Sequence, residues 1–449
     1  MIGQKLVAIL FYSLAGVLLC VNMVFSNTPS IFPFKYQEKI LDNQLKIILI
    51  PIPGSGLVSY YSIVRTGSRD EYEPGHTGFA HFFEHMMFRG TKNYPGEVYD
   101  RMMTEMGADA NAYTTDDYTC YHINLANEDL ETVIKLESDR FQNLSYSEQA
   151  FRTEAGAVRG EYLKGLASPW SRLQEKLLAT AFKKHTYRHT VIGFRKDIEA
   201  MPGMYQYSLK FFHRYYRPDN VVLLVAGDFD PEFVIQKIEH YYGAWQPGYV
   251  PPKIPREPEQ KRERHVKIRF KGRTQPIVAI AYKGLAFDPT NLDVAATLLF
   301  SDLAFGETSE IYKKLVIDEQ RVQFIEGYMG LNRDPKLNTI YTMVKDKNDI
   351  QNIIAEIDKT IQKFQTEKVT VEKLEKQQSH NKYSFLMGLD TPEKVAGGLA
   401  RFVALTGGIE AVDKLYASFS RVTPEDIQSV AKKYFVKSRR TVAILEGGQ

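Results

Sequence analysis

Cysteine is almost missing from this chain of 449 residues: Cys20 and Cys120 are the only two. A disulfide framework is therefore excluded. If the N-terminal segment is removed, Cys120 stands alone and the fold must hold by packing. An excess of one charge is missing as well. Net charge is +3 and no long basic run occurs, which argues against an electrostatic nucleic-acid binder. What is present suits a globular protein: 44% hydrophobic and 25% charged residues, with length for about two to four domains. Tyr (27) and Phe (26) are abundant, enough for aromatic packing or contacts to an extended peptide.

A long apolar run opens the chain. Lys5 precedes Leu6 to Phe25, and Val24-Phe25-Ser26 offers modest side chains where a signal peptidase reads. Residues 1–26 read as an export signal; the run is also long enough to stay as a membrane anchor. Leu19 is bulky where a lipoprotein site before Cys20 wants a small residue. The expected location is outside the cytoplasm, in the periplasm of a Gram-negative bacterium. Any membrane contact would run through an uncleaved N-terminal segment.

"LKIILIPIP" (45–53) and "LVSYYSIVRTGSRDE" alternate as strands and turns. The segment "DRMMTEMGADANAYTTDDYTCYHINL" reads as a helix followed by one extended, Thr- and Tyr-rich strand. "LETVIKLESDRFQNL" and "SEQAFRTEAGAVRGEYLKG" have helical spacing, and "DNVVLLVAGDF" is a short buried strand. Residues 246–264, "QPGYVPPKIPREPEQKRER", are rich in Pro and then in charge, so they read as an exposed linker. The expected units are 35–245 and 265–449. Both end alike: "FFHRYY" leads to "RPDNVVLLVAGDF", and "VAKKYF" to "KSRRTVAILEGG". The parts read as distant copies. The expected fold is α+β: two similar units, each an antiparallel-rich sheet with helices on one face.

The first unit holds "HTGFAHFFEHMMFRGT" (76–91), an apolar helix carrying His81, Glu84 and His85. Polar groups in such a helix need compensation. Residues four apart share a helix face, so His81 and His85 present both imidazoles together, a spacing that suits two corners of a zinc tetrahedron. Glu84 lies on the same side, placed to take a proton from a metal-associated water. H-x-x-E-H is the established inverse-zincin signature. "FRTEAGAVRGEYLKG" adds Glu154 and Glu161, seven apart on one face of a second helix. Glu161, 76 residues after His85, would complete a His₂Glu site with one open position; Glu154 would orient a histidine. The second unit has only His265 and His380, far apart, which read as ordinary surface or core histidines.

On these residues the mature chain resembles the pitrilysin, insulysin and mitochondrial-processing-peptidase family of zinc endopeptidases. "GFAHFFEHMMFRGT" is similar to its G-x-x-H-x-x-E-H-x-x-F-x-G-T pattern, and "GADANAYTTDDYTCY" to N-A-x-T-x-x-D-x-T-x-Y. The resemblance implies one Zn²⁺ per chain, with His81, His85 and Glu161 as ligands and Glu84 as general base. It selects Glu161 over Glu154 as the distal ligand. It places Asn111 and Ala112 on an edge strand that pairs with the substrate backbone. It implies α/β-roll domains forming one half of a clamshell, whose enclosed chamber favours short or unfolded peptides.

One part of the pattern departs. Active one-chain members carry an Arg and, seven residues on, a Tyr in the zinc-less domain, donors that stabilise the developing oxyanion. In "KKLVIDEQRVQFIEGY" the aligned positions hold Val316 and Gln323. Arg321 and Tyr328 are also seven apart, and using them requires a register shift. The expected partner is therefore a zinc-less related subunit supplying Arg and Tyr, or a second copy of the chain. Two alternatives to a general peptide-degrading enzyme are a processing peptidase dedicated to one precursor and a non-catalytic subunit like the core proteins of respiratory complexes.

Overall fold

The structure, a computed structural model, describes residues 30–448. The expected signal or anchor at 1–26 lies outside the described residues. Among them, no single helix is long and apolar enough to cross a membrane.

The first half contains strands β1 (Gln37–Ile40), β2 (Lys46–Pro51), β3 (Leu57–Val64), β4 (Asp109–Thr114), β5 (Thr119–Ala126) and β6 (Val221–Gly227). Its helices are α1 (Phe79–Met86), α2 (Gly96–Glu105), α3 (Leu130–Asn143), α4 (Glu148–Gly165), α5 (Pro169–Ala181), α6 (Arg195–Ala200), α7 (Tyr205–Tyr215) and α8 (Pro231–Tyr242). The second half contains β7 (Arg264–Phe270), β8 (Ile277–Lys283), β9 (Val322–Met329), β10 (Leu337–Val344) and β11 (Arg440–Gly447). With them go α9 (Leu292–Phe305), α10 (Glu310–Tyr312), α11 (Ile350–Thr366), α12 (Val371–Met387), α13 (Pro392–Thr406), α14 (Glu410–Arg421) and α15 (Pro424–Tyr434). No regular element lies between Tyr242 and Arg264.

The protein is α+β, with two sheets built alike. Strand order is β1-β2-β6-β3-β5-β4 in one and β7-β11-β8-β10-β9 in the other. In each, the strand that closes the half pairs parallel on one side (β6 with β2, β11 with β7) and antiparallel on the other (with β3, with β8). Every remaining pairing is antiparallel. Removing β1 superposes the two orders strand for strand. Helix α9 then takes the place of α1, and α12 that of α4.

Period-2 patterning explains why both sheets are covered on both faces. On one face of the first sheet, Ile47, Leu49, Leu223 and Val225 pack against the half's own helices. On the other face, Ile48, Ile50, Val222 and Leu224 meet Val395, Leu399 and Val403 of α13, which belongs to the second half. The exchange is reciprocal. Leu173, Leu177 and Leu178 of α5 cover Ile277, Ala279 and Ala281 of the second sheet. Each half's own helices thus lie on one face, and the opposite face is closed by a helix lent across.

The segment 107–121 corrects the sequence reading. It is a hairpin, β4-turn-β5, and not one strand. Thr115 ends the first arm: its N–H and its Oγ1 both donate to the Tyr118 carbonyl, at 2.8 and 3.0 Å, closing a four-residue turn around Asp116-Asp117.

Candidate metal centre

Helix α1 is amphipathic in the manner its spacing implies. Phe79, Phe82, Phe83 and Met86 are buried, with Phe83 stacked on Phe211 of α7 at 5.2 Å. His81, Glu84 and His85 take the opposite, partly exposed side. The start of the helix is fixed by Glu71. Its buried carboxylate accepts the N–H groups of Gly78 and Ala80, both at 2.7 Å, where a helix end favours negative charge. Burial nevertheless pushes Glu71 well above the usual carboxylate range. Gly78 has φ of +92°, and a Cβ there would lie 2.6 Å from the Ile192 carbonyl oxygen, so only glycine fits.

Helix α4 starts at its Ser147 N-cap and runs beside α1. Its two glutamates meet the two histidines. Glu161 Oε2 lies 3.5 Å from His81 Nε2 and 3.6 Å from His85 Nε2. The three donor atoms fall within 4.8 Å of one another, the one such group of three among the described residues. Such gaps are long for hydrogen bonds. They match the edge of a zinc tetrahedron, about 3.4 Å for metal–ligand bonds near 2.1 Å. The donor set therefore fits one Zn²⁺ with a corner left open.

The surroundings suit the same ion. Burial, together with the neighbouring imidazole of His85, pushes His81 down to about 4 against the pull of Glu161. It is thus neutral at pH 7, the form that binds metal. His85 Nδ1 is 2.9 Å from Glu154 Oε1, and that hydrogen bond raises its pKa. Glu154 is buried and also accepts from Arg89; despite burial, His85 and Arg89 hold it below its ordinary value. Nδ1 of His81 is buried with no hydrogen-bond partner among the described residues. Glu84 is anchored from β4, where the Thr114 hydroxyl donates to its Oε2 at 2.7 Å.

A cavity of about 630 Å³ opens over this cluster. His81, Glu84 and Glu161 line it together with Tyr113, Trp170 and Ile192. Asn111 and Ala112 lie on β4, the edge strand of the first sheet, with β5 on one side only. The Ala112 N–H donates to the side chain of Asn111 at 2.8 Å.

Arg321 and Tyr328 are engaged by different partners. Arg321 is clamped by Asp349 at 2.6 and 2.7 Å, while Tyr328 lies on β9 beside Arg401. Val316 is partly buried against the second core.

Comparison with known proteins decides the family. Residues 56–194 match "Insulinase (Peptidase family M16)", and residues 205–381 match "Peptidase M16 inactive domain". The chain belongs to the M16 peptidase family. It is similar to the zinc protease PqqE of Helicobacter pylori, 26% identical over 426 residues, covering 92% of this chain and 93% of the relative. It is also similar to the mitochondrial-processing peptidase subunit beta of Saccharomyces cerevisiae, 24% identical over 407 residues, covering 86% of each. Among solved structures, the protease from Helicobacter pylori superposes with a TM-score of 0.85 at 25% identity, over 92% of this chain and 99% of that one.

Sequence reasoning did not pick out Thr114, Glu71 or Arg89. Thr114 carried a signal, since it occupies the Thr position of the N-A-x-T pattern. Glu71 and Arg89 carried none.

Proposed function

We propose that this chain is a zinc-dependent endopeptidase in which His81, His85 and Glu161 hold the metal and Glu84 is the general base. The observation that carries the proposal is the convergence of those three donors from two helices at tetrahedral spacing. Family membership supports it. When bound, the zinc activates water and polarises the scissile carbonyl. Glu84 takes the proton from the attacking water and passes it to the leaving nitrogen. Glu154 holds His85 in the tautomer that leaves Nε2 free. The open edge of β4 at Asn111 and Ala112 receives the substrate as an added strand, through main-chain hydrogen bonds with little demand on side chains.

The proposal extends to assembly and place. Val316 and Gln323 stand where the family carries its Arg and Tyr, and Arg321 is held by Asp349. A related zinc-less subunit supplies that pair and closes a chamber over the cavity. The enzyme works in the periplasm. The test is to purify the chain alone and with a zinc-less paralogue, and to measure metal and peptide cleavage on the same samples. Glu84→Gln is expected to keep one zinc and lose about 10²–10⁴-fold in kcat. Loss of zinc from that variant, or unchanged turnover, would contradict the assignment. Full activity of the isolated monomer would contradict the partner requirement.

A further inference from the structure

One oxygen of the Glu84 carboxylate is already engaged. Oε2 accepts from Thr114 Oγ1 at 2.7 Å, while no hydrogen bond to Oε1 occurs among the described residues. Thr114 is the last residue of β4, two positions beyond Ala112 on the edge proposed to receive substrate. Strand alternation sets the Thr114 and Ala112 side chains on the same face, that of α1. The turn that follows is held by both halves of the molecule. Asp116 is paired with Lys336, and Asp117 accepts from Asn332 at 2.7 Å and from Tyr187 at 2.6 Å. Asn332 and Lys336 come from the β9–β10 connection, so the zinc-less half braces the hairpin that delivers Thr114.

We propose that Thr114 is a positioning residue: its hydroxyl pins Oε2 of Glu84, which leaves Oε1 as the oxygen free to receive a proton. A glutamate has three rotatable side-chain bonds, and an O–H···O⁻ bond to one oxygen removes most of that freedom. The same bond ties the base to the substrate-docking strand, so a peptide that orders β4 also orders the carboxylate. This inference rests on the peptidase reading, because it assigns a purpose to the orientation of Glu84.

Three variants test it: Thr114→Val, Thr114→Ser and Glu84→Ala, with the Val/Ala double variant. In the zinc-loaded enzyme, Thr114→Val is expected to lower kcat about tenfold with KM within about twofold of wild type, and Thr114→Ser to restore the rate. In metal-free protein, Thr114→Val is expected to lower Tm in the wild-type background but not in the Glu84→Ala background. Equal Tm losses in both backgrounds would overturn the inference. So would a rise in KM with kcat unchanged, or a Ser variant no better than Val. A zinc-loaded wild type without turnover even beside a zinc-less paralogue would sink the peptidase reading instead, and the metal-free cycle would still decide whether the Thr114–Glu84 bond exists.

Discussion

His85 and Glu84 are each set by a neighbour that determines which atom they offer. His85 turns Nε2 toward the cluster because Nδ1 is spent on Glu154, itself held by Arg89. Glu154 is buried whereas the Glu161 side chain is 46% exposed, so two glutamates of one helix face have different work. Removing the Glu154 charge should leave the ligand set intact but loosen His85. Glu154→Gln is expected to weaken zinc binding about 10–100-fold, read by competition with a chelator. The sequence shows His81, His85, Glu154 and Glu161 well, because helical spacing fixes which side chains share a face. It does not show Glu71, whose carboxylate reaches α1 from a turn several residues upstream. No local pattern encodes that contact.

At the scale of elements, β4 is the strand on which function turns. It has a partner on one edge only, and its neighbour α1 touches it through Thr114 and Glu84. The Ala112 N–H, now satisfied by its own neighbour's carboxamide, is the donor an incoming peptide would take. Ala112→Pro removes that donor at an edge, where proline is tolerated. The expected result is a KM raised about tenfold or more with zinc content and Tm near wild type, checked by steady-state kinetics on a peptide. Thr and Tyr content marked 107–121 as extended, yet the Asp116-Asp117 turn went unread. Asp favours turns, so the pair was a signal passed over within a Thr- and Tyr-rich run; the closing bonds go from Thr115 to Tyr118. In the second half the counterparts of α1 and α4 are joined by a hydrogen bond. Asn381 of α12 donates to Asp302 of α9 at 2.9 Å, a direct bond that needs no ion.

For the whole molecule, duplication was legible and exchange was not. Similar strand-closing segments announced two copies, and the two sheets share one order. The apolar stripe of α13 would read the same whichever sheet it covered, so nothing local assigns it to the other half. The exchange couples the halves. Leu399→Ala, in the shared core, is expected to cost about 2–5 kcal/mol. Both sheets should then unfold in one denaturant transition, and a variant that melts one half while leaving the other native would contradict this coupling. The polar junction adds to the same connection: Asp334 of the second half accepts from Arg69 at 2.6 Å and lies 3.0 Å from His185 Nε2, both in the first half.

The proposed chemistry needs one ion held at one place, and anomalous diffraction at the zinc edge from a zinc-loaded crystal locates it directly. The expected map has a single peak per chain, about 2.0–2.2 Å from Nε2 of His81, Nε2 of His85 and a carboxylate oxygen of Glu161. A peak elsewhere in the chain, or none at this position with zinc in excess, would contradict it.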